Sequence, residues 1–143
     1  MVDERANKEM DMPEHGDFCW SEFAVTDLEK SKAFYSNVFG WEFKASENTG
    51  NEMAYIEFSS CGGEQPDSAL YQIDPNMFGG TPPPPHIAQY VSVDSVDATL
   101  EKAKTLGGTV VFGPYDIPNV GRMAVITDPT GANISLITLS GIR

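Results

Sequence analysis

An internal repeat constrains the fold of this 143-residue chain more than any other feature. In the first copy, an apolar strand ending at Val25 leads into a helix that should stop at Gly40. In the second copy, the strand ends at Val93 and the helix at Gly108. One copy alone would leave an apolar strand face uncovered, whereas two copies can cover each other. The repeat therefore predicts two similar modules that share one core.

Both helix starts carry polar residues that can cap backbone N–H groups. Thr26 is the predicted N-cap of the first helix, and Glu29 follows three residues later, as in a capping box. Asp94 and Asp97 occupy the matching positions in the second copy. We therefore expect the first helix to begin at Asp27, and we assign these aspartates no chemical role.

Alternating apolar residues predict the order β-α-β-β-β in each half. The expected organisation is a flexible acidic tail over residues 1–16 and a single domain over 17–141, with modules 17–74 and 86–141. A proline-rich linker, 75–85, joins the modules and should contain no helix. Residues 112–121 should form a long irregular loop, and residues 48–51 a polar turn. The predicted strands are 18–25, 41–45, 52–58, 68–73, 86–93, one starting at 109, 122–127 and 132–138.

The two faces of the predicted strands differ in polarity. The face expected to meet the helices is apolar, as at Phe23 and Val25, whereas the opposite face mixes aromatic and polar residues. A curved sheet with helices on one side and such a mixed surface on the other forms a half-open barrel with a lined cavity. The predicted fold class is therefore α+β, with the functional site in that cavity.

Charge and composition exclude several classes of partner. The net charge is −12, from 9 basic and 21 acidic residues, which disfavours nucleic acids and anionic membranes. No run approaches the roughly 18 to 20 apolar residues that a membrane span requires. The two cysteines form no CxxC pair, so a reducing cytoplasm is the expected location.

Several motifs resemble the vicinal oxygen chelate superfamily, which includes glyoxalase I, bleomycin-resistance proteins and extradiol dioxygenases. They are the Val-Thr-Asp-Leu-Glu-Lys-Ser-Lys-Ala-Phe-Tyr run at 25–35, the Phe-Gly-Trp at 39–41 and the Asp-Pro-Thr-Gly-Ala at 128–132. Residues 85–94 and 116–122 are most similar to proteins related to lactoylglutathione lyase. The resemblance covers residues 18–137, and it implies a homodimer because related proteins of this length usually pair.

The resemblance also locates the metal ligands of the family's enzymes. Their His, His or Gln, and Glu ligands correspond here to Trp20, Ala88 and Ser135, none of which is a competent ligand. We therefore expect no cofactor and no divalent metal. An atypical site of His86 with Glu22 and Glu57 is the remaining alternative, although a two-residue shift moves a strand side chain by roughly 6 to 7 Å.

The candidate site residues follow from the mixed face and the cavity rim. Glu22 and His86 are the candidate catalytic groups, with Arg122 as the suspected ion-pair partner of Glu22. The candidate ligand-binding residues are Trp20, Tyr55, Glu57, Ala88, Tyr90, Asp116, Arg122 and Ser135.

Three functions remain open at this point. The first is a protein that binds a small, partly aromatic or apolar molecule without metal, as in the bleomycin-resistance branch. The second is a glyoxalase-like lyase or isomerase, which depends on a metal or uses Glu22 as a base. The third is a protein-interaction module that uses the sheet or the segment Pro82 to Pro85.

Overall fold

The computed structural model describes residues 12–45 and 55–140. The predicted 48–51 turn, the start of the predicted 52–58 strand and most of the predicted tail lie outside the described residues. The chain divides into two compact units. The N-terminal unit comprises residues 20–89, and the C-terminal unit comprises residues 90–143 together with 1–19. A single domain over 17–141 stays a prediction.

The N-terminal unit has the predicted β-α-β-β-β order. Its elements are β1 (Phe18–Val25), of which residues 20–25 belong to this unit, α1 (Leu28–Phe39), β2 (Phe43–Ala45), β3 (Tyr55–Phe58), β4 (Ser68–Gln72) and the short α2 (Met77–Gly80). The strands are ordered β2-β3-β4-β1, with β4 parallel to β1 and antiparallel to β3. The four-residue α2 lies within the predicted linker, so the expectation of no helix there was wrong.

The C-terminal unit repeats this arrangement. Its elements are β5 (His86–Ser92), of which residues 90–92 belong to this unit, α3 (Val96–Thr105), β6 (Thr109–Ile117), β7 (Gly121–Thr127) and β8 (Asn133–Leu139). Its strands are ordered β6-β7-β8-β5, and β8 is parallel to β5. The predicted α+β modules are therefore confirmed, because both units place their four strands in the same spatial order.

The cap of α1 lies one residue after the predicted position. Asp27, not Thr26, is the N-cap, and its side chain accepts a hydrogen bond from the backbone N–H of Lys30. Asp27 keeps an extended backbone, with φ −142° and ψ 100°, so its carboxylate can reach back over the first turn. Gly40 ends the helix with φ 76°, as predicted.

In α3 both ends differ from the prediction by one residue. Ser95, not Asp94, is the N-cap, and its side chain accepts from the backbone N–H of Ala98. The left-handed residue after the helix is Gly107, with φ 95°, rather than Gly108. Gly108 instead allows a close approach, because a Cβ there would lie 3.0 Å from the carbonyl oxygen of Thr127.

Two segments predicted to be irregular or flexible are held by hydrogen bonds. β6 continues to Ile117 through two register shifts against β7, so the predicted 112–121 loop is mostly strand. The shifts accommodate Gly113 and Pro114, whose composition suggested a loop. In the predicted tail, Gly16 donates to the carbonyl of Ser92 at 2.7 Å, and the His15 imidazole accepts from the N–H of Asp94 at 3.0 Å.

Each unit has its own helix-side core, and the two cores differ in chemistry. The N-terminal core is mainly aromatic: Phe23 makes edge-to-face contacts with Tyr35, Trp41 and Phe58. The C-terminal core is aliphatic and consists of Val93, Val96, Leu100, Ala124 and Leu136. The predicted apolar helix-side faces are therefore present in both units. Within the described residues, the helices are too short or too polar to cross a membrane.

Candidate functional site

The candidate site is the sheet face of the N-terminal unit that α1 does not cover, here called the helix-free face. Strand register places Glu22 beside Ala69, Ala69 beside Glu57, and Tyr71 beside Tyr55. These residues alternate with the core residues Phe23, Leu70 and Phe58, so they share the opposite face. The polar and aromatic members of the face are all half-buried: Trp20, Glu22, Tyr55, Glu57 and Tyr71.

A hydrogen-bonded chain links three of these side chains across β1 and β3. The indole N–H of Trp20 donates to the hydroxyl of Tyr55 at 3.0 Å. The same hydroxyl donates to Oε2 of Glu22 at 2.8 Å. The direction follows from chemistry, since an indole can only donate and a carboxylate can only accept. The chain holds two aromatic rings and one carboxylate in a fixed arrangement.

Tyr71 extends this arrangement, although the sequence analysis did not single it out. Burial raises the pKa of its hydroxyl, and the negative charge of Glu22 raises that pKa further. The phenol therefore keeps its proton at neutral pH. The alternation of residues within Ser68–Gln72 could have identified Tyr71 as a residue of the helix-free face. Leu70 is in the core, so the next side chain, Tyr71, must face the opposite way.

His86 and Ala88 lie on β5 within the same unit. The hydroxyl of Ser21 donates to the side-chain oxygen of Gln89 at 3.0 Å on the helix side, so His86 and Ala88 are on the helix-free side by alternation. His86 is exposed, and its Nδ1 lies 2.8 Å from the carbonyl oxygen of Pro84. The imidazole is thus held by its own loop, and its catalytic role stays a prediction.

Two predicted ligand-binding residues lie in the C-terminal unit and are deeply buried. Tyr90 is 7% exposed and Ser135 is 3% exposed. They are register partners on β5 and β8, on the face opposite Leu136. A ligand role for either residue stays a prediction.

Arg122 occupies a different environment from the one expected. Arg122 is two residues before the core residue Ala124 on β7, so both side chains lie on the helix side of the C-terminal unit. Nε and one terminal nitrogen each donate to a different carboxylate oxygen of Asp97, both at 3.1 Å, and the other terminal nitrogen donates to Asp116 at 3.0 Å. The suspected ion pair between Arg122 and Glu22 was therefore wrong. Arg122 on β7 instead forms ion pairs with Asp97 on α3 and Asp116 on β6.

The residues present do not fit the divalent metal of the family's enzymes. Trp20 uses its indole N–H on Tyr55 and has no lone pair to offer, and Ala88 has no polar atom. The alternative set of His86, Glu22 and Glu57 is not assembled: over residues 12–45 and 55–140, no three His, Cys, Asp or Glu side chains are close enough together to hold a metal ion.

A cleft of about 650 Å³ lies at the end of β2 and β3 where Phe43 pairs with Phe58, and it shares only Glu57 with the residues of the helix-free face named above. It is lined by residues 39–44, 57–60, 62–64 and 66. Next to it, α1 exposes Phe34, Val38 and Phe39 at 58%, 52% and 57%. The interaction-module hypothesis placed the contact on the sheet or on Pro82 to Pro85, so these side chains of α1 do not test it, and they identify no partner.

Comparison with known proteins gives a consistent family. The family described as "Glyoxalase/Bleomycin resistance protein/Dioxygenase superfamily" matches residues 19–136. A "Putative glyoxylase CFP32" of Mycobacterium tuberculosis is 35% identical over 117 residues, which are 82% of this chain and 43% of that protein. The "Anthracycline biosynthesis protein DnrV" of Streptomyces peucetius is 32% identical over 120 residues, covering 79% and 43%. The chain therefore spans less than half the length of these relatives.

Solved structures agree on the fold. The Mn(II)-bound glyoxalase from Novosphingobium aromaticivorans has a TM-score of 0.57 at 19% identity, covering 89% of this chain and 40% of that one. Methylmalonyl-CoA epimerase from Mycobacterium tuberculosis has a TM-score of 0.54 at 17% identity, covering 87% and 88%. At such identities the likeness confirms the architecture alone.

Proposed function

This chain belongs to the glyoxalase/bleomycin resistance protein/dioxygenase superfamily, and from that premise we propose that it binds a small, partly aromatic molecule on its helix-free face without a divalent metal. The observation that carries the proposal is the chain from Trp20 through Tyr55 to Glu22. At the first ligand position of the family, this protein has an indole that is already hydrogen-bonded.

The arrangement suits a flat ligand. Neighbouring strands supply three large rings, those of Trp20, Tyr55 and Tyr71. The residues between them include Ala24 and Ala69, whose short side chains leave room for a ligand above the sheet. Aromatic rings contribute about 0.5–1.5 kcal/mol beyond their buried area when they stack on another ring. Two relatives named for anthracycline biosynthesis support a planar polycyclic ligand as the first class to test.

The proposal is tested by calorimetric titration of the purified chain with 2-(hydroxymethyl)anthraquinone, a neutral planar probe. Trp20→Ala should weaken binding by about 5- to 10-fold, the equivalent of about 1 to 1.4 kcal/mol of lost ring contact. Tyr115→Ala is the matched control, because that ring is 53% exposed on β6 of the C-terminal unit, and its loss should leave binding unchanged. If the wild-type protein does not bind, or if the two variants behave alike, the proposal is wrong.

The lyase alternative has one supporting observation, the half-buried Glu22 carboxylate beside two tyrosines. It predicts that the protein converts a glutathione thiohemiacetal to S-lactoylglutathione. The rate of this conversion should fall at least about 100-fold in Glu22→Gln. Assays with and without Mn²⁺, Ni²⁺ or Zn²⁺, together with metal analysis of the purified protein, separate it from simple binding. Turnover that requires an added metal would contradict the metal-free proposal.

A further inference from the structure

We propose that the hydroxyl of Tyr71 donates a hydrogen bond to the ligand, so that the helix-free face selects planar molecules with a carbonyl group on the ring, such as quinones and aryl ketones. This inference rests on the proposed function and deepens it by naming the chemical class of the ligand. It follows from a contrast between two tyrosines that are register partners on this face.

Tyr55 and Tyr71 lie opposite each other on the antiparallel strands β3 and β4. Side chains of directly opposite residues share one side of the sheet, with their Cβ atoms roughly 5 Å apart. The hydroxyl of Tyr55 is already bonded within the protein, since it accepts from the indole of Trp20 and donates to Glu22. A phenol has one proton, so Tyr55 has none left to donate to a ligand.

Tyr71 differs from Tyr55 in the state of its hydroxyl. Over residues 12–45 and 55–140, no group of the protein forms a hydrogen bond with this hydroxyl. Every fully buried side-chain oxygen or nitrogen in the same ranges does have a partner, so the hydroxyl oxygen of Tyr71 is not sealed inside the protein. The side chain as a whole is half-buried. Its hydroxyl is therefore accessible on the face where the ligand is proposed to bind.

The chemistry of this hydroxyl determines the group that it can recognise. Its proton stays in place at neutral pH, because burial raises the pKa of Tyr71 and the charge of Glu22 raises that pKa further. An unionised phenol can donate a hydrogen bond, whereas a phenolate can only accept one. A flat ligand on the neighbouring rings turns its edge toward this donor, and a ring carbonyl carries its lone pairs in the plane of the ring. A carbonyl oxygen at the edge of the ligand is therefore the complementary group.

The test uses two neutral probes with the same three fused rings and the same hydroxymethyl group. 2-(Hydroxymethyl)anthraquinone has ring carbonyls, and 2-(hydroxymethyl)anthracene has none. Tyr71→Phe keeps the aromatic ring of the protein and removes only the hydroxyl. We expect it to weaken binding of the anthraquinone about 5-fold and to change binding of the anthracene by less than about 2-fold. Quenching of tryptophan fluorescence measures both affinities at micromolar concentrations.

Tyr115→Phe is the matched control, because this tyrosine is 53% exposed on β6 of the C-terminal unit. It should bind both probes as the wild type does. The melting temperature of each variant shows whether it is folded. Infrared spectra of the bound anthraquinone give a readout that a merely structural role of Tyr71 would not change. A carbonyl band of the wild-type complex should lie at lower frequency than in the Tyr71→Phe complex, since a hydrogen bond weakens the C=O bond.

The outcomes separate this inference from the proposed function. If the anthraquinone binds but Tyr71→Phe weakens both probes equally, or weakens neither, the carbonyl contact is wrong and the proposed function stands. An unshifted carbonyl band, or binding of the anthracene alone, leads to the same conclusion. If neither probe binds to the wild-type protein, both are wrong.

Discussion

The two units share one strand order but differ on the face that their helices do not cover. In the N-terminal unit this face has half-buried aromatic and acidic side chains joined by hydrogen bonds. On the corresponding strands of the C-terminal unit, Val125 is half-buried, and five other side chains of this face are at most 7% exposed: Tyr90, Ser92, Met123, Ser135 and Ile137. The repeat preserved the scaffold, and the candidate chemistry is concentrated in one copy.

Strand order and side-chain chemistry are therefore separable in this fold. The alternating sequence pattern of each module requires only that the residues facing the helix be hydrophobic. The aromatic core of the N-terminal unit and the aliphatic core of the C-terminal unit both meet that requirement. The other face carries no such requirement, so it is free to diverge between the copies. The following predictions test how far the equivalence extends.

The largest effect should come from the core residues that occupy equivalent positions on the last strand of each unit. Leu70 is 0% exposed and Leu136 is 4% exposed. Replacing either one with alanine should lower the free energy of unfolding by about 2–5 kcal/mol, since buried contacts are lost and a cavity remains. Urea denaturation measures both losses. A loss below about 1 kcal/mol in one unit alone would break the equivalence of the cores.

The second prediction concerns Cys19. Burial raises the pKa of its thiol to about 11, and the charge of Asp17 contributes in the same direction. Relative to a thiol with a pKa of 9.0, its reactive thiolate fraction at pH 8 should be about 100-fold lower. Iodoacetamide followed by peptide mass spectrometry should therefore label the exposed Cys61 first. Equal labelling of the native protein would show that Cys19 is not protected.

A smaller effect is expected at the two glycines that end the long helices. Gly40 and Gly107 have φ of 76° and 95°, a region that disfavours residues with a Cβ. Gly40→Ala should cost about 1 kcal/mol of unfolding free energy. Gly107→Ala should cost slightly more, because its Cβ would lie 3.4 Å from Pro129. Gly63→Ala is the control and should be nearly neutral, because φ there is not positive and the added Cβ would make ordinary contacts of 3.6 Å with Ser59 and 3.7 Å with Cys61.

The smallest effect should be at the exposed Asp128, which organises the β7–β8 turn. Its pKa is lowered from 3.8, first by the hydroxyl of Thr130 and then by the backbone N–H groups of Ala132 and Thr130. Because the folded pKa is the lower one, its contribution to stability is complete above pH 3.8 and is lost as the pH falls through the folded pKa. Asp128→Asn should lower the melting temperature at pH 7.

The control for this prediction is to measure the melting temperatures of both proteins over a range of pH. The difference in melting temperature between wild type and Asp128→Asn should narrow as the pH falls from 3.8 through the lower pKa of the folded state, because the native carboxyl group then becomes protonated. A difference that stays constant from pH 7 to pH 3 would mean that the charge of Asp128 plays no part.

The repeat, the α+β class and the helix-side faces could all be predicted from the amino-acid sequence alone. These properties depend on periods of 2 and 3.6 residues within short segments, and such periods can be counted without knowing any distant contact. The same locality explains why cap positions differed by one residue, since Thr26 and Asp27 are both good caps. It also explains the error at β6, where Gly113 and Pro114 suggested a loop but the strand continues through register shifts.

Which polar side chains come into contact depends on the tertiary structure. Glu22 and Tyr55 are 33 residues apart, and only the register of β1, β4 and β3 brings their side chains within 2.8 Å. The register likewise placed Arg122 beside Asp116 and put Tyr71 on the helix-free face. Contacts across strands depend on how distant segments align, and a single sequence carries no local period that encodes this alignment.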